Sequence, residues 1–250
     1  MNKNLVVILL VLLIIIVLIL IYKRNRNTES FHVNKLKKFN NTNNYKIITE
    51  NREPEILLIK NFLTREECDH LIIKGEPLLK ASTICSENGD IVDESRTSWT
   101  ASLGKELITE NKKDPILQDI YNRAAEFCMR PVKNIEPIQM VRYTSGQFYK
   151  PHHDYLDTKI DLYKQQVDLH GQREITFFVY LNDVQEGVGG ETYFPKVNKK
   201  IKGKKGDAVL WYNIKKNGEL DEMTLHGGNP ITEGTKYGLN IWVRTKEPTF

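Results

Sequence analysis

The chain changes character at Pro131, and this change restricts its possible folds more than any other feature. Beyond it lie five short runs rich in β-branched and aromatic residues: "IQMVRY", "EITFFVYL", "ETYFP", "DAVLWY" and "GLNIWVR". Gly, Asn and Asp turn signals separate the runs, which is typical of short strands. Because two helical segments precede this series, the sequence predicts an α+β protein with helices packed against a β-sandwich or jelly roll.

The segment before Pro131 carries clear helix signals. The body of the chain begins near Glu53, where "EILLIKNFL" predicts a buried strand. Thr64 and Glu67 then match a capping box, which predicts the start of a helix. Asp114 as cap, followed by proline at the first helical position and apolar residues at helical spacing, predicts a second helix.

The N-terminus is apolar without interruption. Leu5 to Ile21 contains only Leu, Val and Ile. With Tyr22 included, a helix here would be about 27 Å long, close to the thickness of a hydrocarbon core. Basic residues follow directly, without a small-residue cleavage site. We therefore expect an uncleaved transmembrane anchor at residues 1–22, in contact with the lipid bilayer, and then a flexible tether at 23–52 that is rich in Asn and Lys.

The membrane orientation and the compartment stay open at this point. The basic flank Lys23–Arg26 outweighs Lys3, so the positive-inside rule favours a cytoplasmic body. The cysteines Cys68, Cys85 and Cys128 allow at most one disulfide bridge, and their spacing matches neither a zinc motif nor a disulfide framework.

The overall charge does not predict a nucleic-acid partner. The net charge is +4, and the densest lysine cluster is "KVNKKIKGKK", residues 196–205. Because no aromatic stacking platform is interleaved with these lysines, a solvated loop is the better interpretation.

The motif "KPHHDY" contains a candidate metal site. On an extended strand, side chains two residues apart point the same way, so His152 and Asp154 share a face while His153 points to the other. An iron site of the two-histidine, one-carboxylate kind needs one more ligand from another strand. His226 lies late in the strand series and can supply it, although this spacing alone is a weak signal.

The other histidines are weaker candidates. His32 lies in the predicted tether and His70 on the first predicted helix, where solvated or hydrogen-bonded rings are expected. His170 is predicted to lie in a polar loop between strands.

A cation is predicted inside the same barrel. Lys236 leads into the strand "GLNIWVR", which would place its ammonium ion in the interior. An unpaired buried lysine is costly, and an acidic co-substrate would remove that cost. An exposed lysine at a strand edge is the alternative.

Together these segments resemble a known family. "VRYTSGQFYKPHHDY", "GGETYFP", "KKGDAVLWYN" and "LHGGNPITEGTKYGLNIWVR" look like the catalytic domain of prolyl 4-hydroxylases, within the iron(II)- and 2-oxoglutarate-dependent dioxygenases. "SRTSWTASL" (residues 95–103) resembles a further strand of the family. The resemblance implies a double-stranded β-helix at residues 134–246, supported by the helices and strand of residues 53–133. The chain resembles the short plant, algal and viral members.

The resemblance also implies residue roles and cofactors. His152, Asp154 and His226 would bind Fe(II), and Lys236 would bind the distal carboxylate of 2-oxoglutarate. The aspartate distinguishes the chain from halogenating relatives, which have a small residue there. Tyr143 would lie near the co-substrate and Trp242 would line the pocket, although a core aromatic is nearly as good an interpretation of both. Ascorbate would be the reductant.

The resemblance implies substrate contacts as well. Residues 85–98 are polar and contain a glycine, so they form either a mobile lid over a peptide groove or an ordinary exposed loop. Arg96 and Trp242 would lie near a bound proline-containing peptide or protein.

The expected activity is therefore prolyl 4-hydroxylation, with succinate and CO2 as co-products. Two alternatives stay open: a lysyl or small-molecule hydroxylase that uses the same cofactors, or a membrane-tethered module that binds proline-rich peptides without turnover. We expect a single-pass protein of the endomembrane system or ER, with the side of the membrane open.

Overall fold

The computed structural model describes residues 45–86, 89–104 and 114–247. The strands are β1 (Lys46–Asn51), β2 (Ile56–Lys60), β3 (Lys80–Ala81), β4 (Ile84–Ser86), β5 (Gly89–Ile91), β6 (Trp99–Ser102), β7 (Gln139–Thr144), β8 (Tyr149–His152), β9 (Arg173–Tyr180), β10 (Thr192–Phe194), β11 (Lys199–Ile201), β12 (Ala208–Tyr212), β13 (His226–Gly228) and β14 (Thr235–Arg244). All five runs after Pro131 contain a strand, as predicted. The strand predicted from "EILLIKNFL" is β2.

The α-helices are α1 (Arg65–Gly75), α2 (Pro115–Cys128) and α3 (Asp161–His170). Both helix starts predicted from capping signals are confirmed. The Thr64 hydroxyl accepts from the Glu67 amide at 3.1 Å, and the Glu67 carboxylate accepts from the Thr64 amide at 2.8 Å. The Asp114 carboxylate caps α2. Short 3-10 helices lie at Glu76–Leu78, Val132–Asn134, Pro195–Val197 and Glu222–Thr224.

The prediction of a loop around His170 is wrong, because this residue is the last of α3. The helix has no side-chain hydrogen bond at its N-cap and buries none of its residues. A helix without a capping residue or a fully buried apolar stripe lacks the signals that sequence reasoning depends on.

Two antiparallel sheets form the body. The larger has the strand order β1-β2-β12-β9-β14-β7-β6-β3, and the smaller has the order β11-β10-β13-β8. Strands that are distant in sequence are neighbours, so the sheets are assembled by crossover connections. Strands β4 and β5 pair separately as a hairpin.

One hydrophobic core joins the two sheets. Alternate residues of the larger sheet, such as Phe178 and Tyr180 on β9, pack in the same cluster as Phe194 of β10 and Ile201 of β11 from the smaller sheet. Because side chains alternate across a strand, the intervening residues face away from this core. The space between the sheets is therefore where inward-pointing polar groups of both sheets can meet.

Helices cover the other face of the larger sheet. Phe177 of β9 stacks on Phe62 with ring centroids 5.2 Å apart, and Phe127 of α2 meets Phe177 edge-on at 5.7 Å. Gly75, at the end of α1, lies so close to β7 that an added Cβ would come within 2.4 Å of the Met140 methyl group. The packing of the helices thus holds the sheet from behind and leaves its opposite face to the core.

Three predicted boundaries differ from the structure or lie beyond it. The tether predicted at 23–52 overlaps β1, where Ile47 and Ile48 pair with Ile59 and Leu58 of β2. Two isoleucines in a polar segment were too weak a strand signal, and pairing with β2 supplies the missing stabilisation. Residues 23–44 of the predicted tether and the predicted anchor at 1–22 lie outside the described residues. Among those that are described, no helix is both long enough and apolar enough to cross a bilayer.

The larger sheet spans the predicted division at residues 133 and 134. Strands β2 and β6, which precede it, pair with β12 and β7, which follow it. Residues from Tyr45 onward form one compact unit. The support region and the oxygenase region therefore share a single sheet.

Candidate active site

Three potential metal ligands meet on the smaller sheet. His152 ends β8 and His226 begins β13, and the two residues are directly paired across the sheet. The Asp154 carboxylate oxygens lie 3.7 Å from His152 Nε2 and 3.6 Å from His226 Nε2. One ligand atom from each residue lies within 4.8 Å of the others, a spacing that can hold a metal ion. Strand pairing thus joins residues that are 74 positions apart in the sequence.

Backbone carbonyl groups orient both imidazole rings. The Nδ1 atom of His152 is 2.9 Å from the Lys150 carbonyl oxygen, and that of His226 is 2.9 Å from the Thr224 carbonyl oxygen. Because a carbonyl can only accept, each Nδ1 carries the proton, and Nε2 has a free lone pair. Ligand histidines are usually oriented in this way.

The charges of the three residues also suit a divalent cation. Burial lowers the pKa of His152 to about 3 and also lowers the pKa of His226, so both rings are neutral. Burial alone would raise the pKa of Asp154, but the nearby Arg173 guanidinium and the hydrogen bond from the Thr176 hydroxyl help to hold this pKa at about 2. Two neutral imidazoles and one carboxylate leave a single negative charge, and this N/O donor set suits Fe(II).

A buried cation lines the same cavity as the three candidate ligands. Lys236 on β14 is 2% exposed, and its Nζ is 4.8 Å from the Phe178 ring centroid and 5.4 Å from that of Tyr143. Within the described part of the chain, no carboxylate forms a salt bridge with it. Burial lowers the pKa of Lys236 to about 7. A cation held by aromatic faces without a counter-ion can bind an anion.

One cavity of about 350 Å³ connects these groups. His152, Asp154, His226 and Lys236 line it, together with Tyr143 and Trp242. The volume suits a small organic ligand. The structure therefore brings together all the residues that the sequence predicted for metal and co-substrate.

Comparison with known proteins gives the family. Residues 138–244 match the family model described as the 2OG-Fe(II) oxygenase superfamily. Prolyl 4-hydroxylase 1 of Arabidopsis thaliana is 36% identical over 207 residues, which cover 77% of this chain and 70% of that protein. The chain belongs to the prolyl 4-hydroxylase family.

Solved structures agree with this assignment. The viral collagen prolyl hydroxylase vCPH from Paramecium bursaria Chlorella virus-1, in a 2OG complex, is 29% identical with a TM-score of 0.57, covering 76% of this chain and 95% of that one. A prolyl hydroxylase from Trichoplax adhaerens, solved with a hypoxia inducible factor peptide fragment, has a TM-score of 0.56, covering 88% of this chain and 92% of that one. At 16% identity, the second match shows the fold alone. The sheet-rich core is consistent with the predicted jelly roll.

Membership of the prolyl 4-hydroxylase family identifies the chain as a dioxygenase that uses Fe(II) and 2-oxoglutarate. The free Nε2 atoms, the Asp154 carboxylate and the buried Lys236 fit these two groups. Ascorbate is typical of this family as a reductant.

The other described histidines lie outside the cluster of three candidate ligands, and His32 lies outside the described residues. His153 Nε2 is 3.1 Å from the Glu222 carbonyl oxygen, and its ring stacks on Tyr155. His70 Nε2 is 2.6 Å from an Asp114 carboxylate oxygen, so it is a hydrogen-bonded histidine as expected. The family's H-x-D spacing therefore uses His153 as the residue between two ligands.

Trp242 belongs to a buried ionic cluster that the sequence did not predict. The Arg173 guanidinium lies 3.9 Å from the centroid of its indole ring. Arg173 also donates to both Glu136 carboxylate oxygens, at 2.7 and 2.8 Å, and Arg244 donates to the same carboxylate. The Trp242 Nε1 atom is buried and has no hydrogen-bond partner among the described residues. Trp242 therefore lines the cavity while its indole N–H is buried without a described partner.

Arg96 lines the cavity but is already engaged. It donates to the Thr83 carbonyl oxygen and the Gln139 side chain, both at 2.9 Å, and its guanidinium lies 4.8 Å from the Tyr149 ring centroid. The segment predicted as a lid or an open loop contains the hairpin β4–β5, and Ile84 lines the cavity. Backbone pairing between Ile84 and Ile91 gives this segment an order that its polar composition did not indicate.

Sequence reasoning missed the residues that contact the candidate metal-binding side chains. The Thr176 hydroxyl donates to Asp154 Oδ2 at 2.8 Å, and Tyr149 stacks on the His152 ring. Within "EITFFVYL", Thr176 shares the inward face with Phe178 and Tyr180. A lone polar residue on the inward face of an apolar strand was the available signal.

Proposed function

We propose that this enzyme hydroxylates prolyl residues in peptides or proteins, using Fe(II), O2 and 2-oxoglutarate. The observation that carries the proposal is a single cavity lined both by a candidate metal-ligand triad and by a buried lysine that has no salt-bridge partner among the described residues. The first needs a cation and the second an anion, and in a prolyl 4-hydroxylase family member these are Fe(II) and 2-oxoglutarate.

The residue roles follow from this arrangement. His152, Asp154 and His226 would hold Fe(II), and Lys236 would bind the distal carboxylate of 2-oxoglutarate. Bound there, iron and co-substrate supply the oxidising chemistry that adds one oxygen atom of O2 to a prolyl carbon and the other to succinate, with loss of CO2.

The protein's own contribution is position and exclusion of water. Phe178, Tyr180 and Tyr143 surround the lysine, so its attraction to a carboxylate is not weakened by solvent. The carbonyl groups that hold the two histidine Nδ1 protons keep both Nε2 atoms available. Fixed positions of this kind lower the cost of forming a complex.

The substrate would enter beside Trp242 and Arg96. Trp242 lines the cavity and offers aromatic surface there, the kind of surface that extended proline-rich peptides use. Ile84 of β4 and Tyr163 of α3 line the same cavity, so the hairpin and α3 would flank the peptide.

The test uses the full-length chain, solubilised in detergent and supplied with Fe(II), 2-oxoglutarate and ascorbate. Proline-rich, lysine-containing and mixed peptides would be followed by mass spectrometry, alongside succinate release. Hydroxyproline that disappears in His226→Ala is the expected result. Hydroxylysine would indicate a lysyl hydroxylase, and an iron-loaded protein without succinate release would indicate a binding module.

We also propose a double-stranded β-helix core and a membrane anchor at residues 5–22, which would place the enzyme in the endomembrane system. The uninterrupted apolar run supports the anchor. The test compares the unsubstituted chain with a variant of the same length that carries Leu12→Lys and Ile16→Lys, after alkaline extraction of membranes. The unsubstituted chain should stay with the lipid and the variant should be released; release of both would contradict the anchor.

A further inference from the structure

Asp154 is held by a chain of three buried hydrogen bonds. The Trp211 indole N–H donates to Asn213 Oδ1 at 2.9 Å, and Asn213 Nδ2 donates to Thr176 Oγ1 at 2.9 Å. The Thr176 hydroxyl then donates to Asp154 Oδ2 at 2.8 Å. Trp211, Asn213 and Thr176 are each at most 1% exposed. We call Trp211, Asn213 and Thr176 the aspartate relay.

The direction of the aspartate relay is fixed by its two ends. An indole N–H can only donate, so the Asn213 oxygen must face Trp211 and its NH2 group must face Thr176. The threonine oxygen accepts that bond, and its own proton is therefore directed to Asp154. An ionised carboxylate can only accept, so every member of the chain is matched to its neighbour.

The fold brings these residues together by register. Trp211 on β12 pairs directly with Thr176 on β9, and Asn213 follows two residues later. The Asn213 amide donates to the Glu174 carbonyl oxygen at 2.8 Å, which fixes its backbone. The Trp211 ring also packs on His226, with centroids 4.4 Å apart. One indole thus supports two of the three metal ligands.

We propose that the aspartate relay is a positioning device that fixes the rotation of the Asp154 carboxylate. With Oδ2 occupied by the Thr176 hydroxyl, Oδ1 keeps its lone pairs for the metal. Without the hydroxyl, the carboxylate would rotate and both oxygens would compete for the ion. This inference rests on the proposed metal centre.

The experiment measures Co(II) binding by calorimetry and Co(II) absorption spectra in the full-length protein. Thr176→Val removes the hydroxyl at nearly constant volume, and Thr176→Ser retains it. We expect Thr176→Val to weaken Co(II) binding by about 10- to 100-fold and to shift the absorption bands, as loss of such supporting contacts typically does. Thr176→Ser should keep the Co(II) affinity and the absorption bands of the wild type. Equal affinity and spectra in wild type and Thr176→Val would overturn the proposal.

A second variant keeps the test decisive if Thr176→Val does not fold. Trp211→Phe retains ring packing but removes the first donor, so the Asn213 amide is free to turn. It should weaken Co(II) binding by a smaller factor, roughly threefold to tenfold. In the Thr176→Val background, the same change should add nothing to the loss, because the relay acts through that hydroxyl. Unchanged affinity in Trp211→Phe would count against the relay.

Controls separate the relay from the metal centre and from general destabilisation. Ser82→Ala removes another buried hydroxyl, which pairs with Ser98 at 2.8 Å. It should lower thermal stability and leave Co(II) affinity unchanged. If wild-type protein binds no Co(II), or if His226→Ala binds it equally well, the assignment of the metal centre fails. Loss of binding in His226→Ala together with normal binding in Thr176→Val refutes the relay alone.

Discussion

Two buried regions at the cavity hold cations in opposite electrostatic situations. Arg173 and Arg244 share the Glu136 carboxylate, which lies between them. Burial alone would raise the pKa of Glu136, but the two guanidinium groups outweigh it and lower this pKa. Aromatic rings lie around the Lys236 ammonium group, no described carboxylate forms a salt bridge with it, and burial lowers its pKa to about 7. The first region is complete without a ligand and the second is not.

The triad of His152, Asp154 and His226 has an unpaired negative charge, whereas Lys236 has an unpaired positive one. Asp154 carries a negative charge between two neutral imidazoles, and no described cation forms a salt bridge with it. A fold does not bury uncompensated charges of both signs in one cavity for stability, because each is costly without a partner. The contrast with the Glu136 cluster therefore distinguishes residues that stabilise the fold from residues that we propose bind ligands.

The largest effect should come from removing one of the three candidate metal-binding side chains. His226→Ala leaves two protein ligands and should abolish Fe(II) retention and succinate release. His153→Ala should retain both, because that ring contacts the Glu222 carbonyl group instead of the triad. Metal content and succinate formation would be measured for both variants. Iron loss in His153→Ala equal to that in His226→Ala would contradict the ligand assignment.

Lys236→Met should raise the dissociation constant of 2-oxoglutarate by about 10²- to 10³-fold, because the positive charge proposed to bind the distal carboxylate is lost. Iron content should not change. Calorimetric titration of the Mn(II)-loaded protein with 2-oxoglutarate gives the constant. An unchanged constant would place the anion site elsewhere.

The stability of the free protein should respond in opposite directions in the two regions. Glu136→Gln removes the carboxylate that the buried Arg244 and the partly buried Arg173 share, and it should lower the free energy of unfolding by about 3–5 kcal/mol. Lys236→Met removes an unpaired buried cation and should raise it by roughly 2–4 kcal/mol.

The lysine effect should also depend on pH with a defined sign. Because the folded pKa of Lys236 is depressed, its penalty is fully present below about pH 7 and fades as the pH rises towards the ordinary lysine value. Urea unfolding at pH 6.5 and pH 9.5 checks both variants. A loss of stability in Lys236→Met at pH 6.5 would contradict the contrast.

The smallest expected effect is on co-substrate affinity. The anion binds the protonated lysine, and the free enzyme loses that proton above about pH 7. The dissociation constant of 2-oxoglutarate should therefore rise by about fivefold between pH 7 and pH 8. Lys236→Arg, which stays protonated, should not show this rise. A rise of equal size in both proteins would assign the pH dependence to another group.

Much of the fold could be predicted from local patterns. The five strands after Pro131 and the two capped helices carry signals within a few residues, in their β-branched content and in Thr64 and Asp114. Strand β1 and α3 could not be predicted in this way. The isoleucines of β1 gain their stability from β2, and α3 lacks a capping side chain.

The residues of the site also fall into those that could be predicted from the sequence and those that could not. His152, Asp154, His226 and Lys236 are recognisable because metal and anion chemistry needs those residue types, and the resemblance to a family fixes their order. The aspartate relay and the Glu136 cluster carry no such pattern. Their members come from separate strands, and each residue type is common in any core or surface.

By itself, therefore, the sequence determined the element types after Pro131, the capped helices and the identity of the four residues proposed to bind metal and co-substrate. Only the tertiary structure decided that Lys236 has no described counter-ion, that Arg173 and Arg244 share one, and that Thr176 faces Asp154. The physical reason is that a charge or a hydrogen bond acts across a few ångströms in space. Crossover connections between the strands place such partners far apart along the chain.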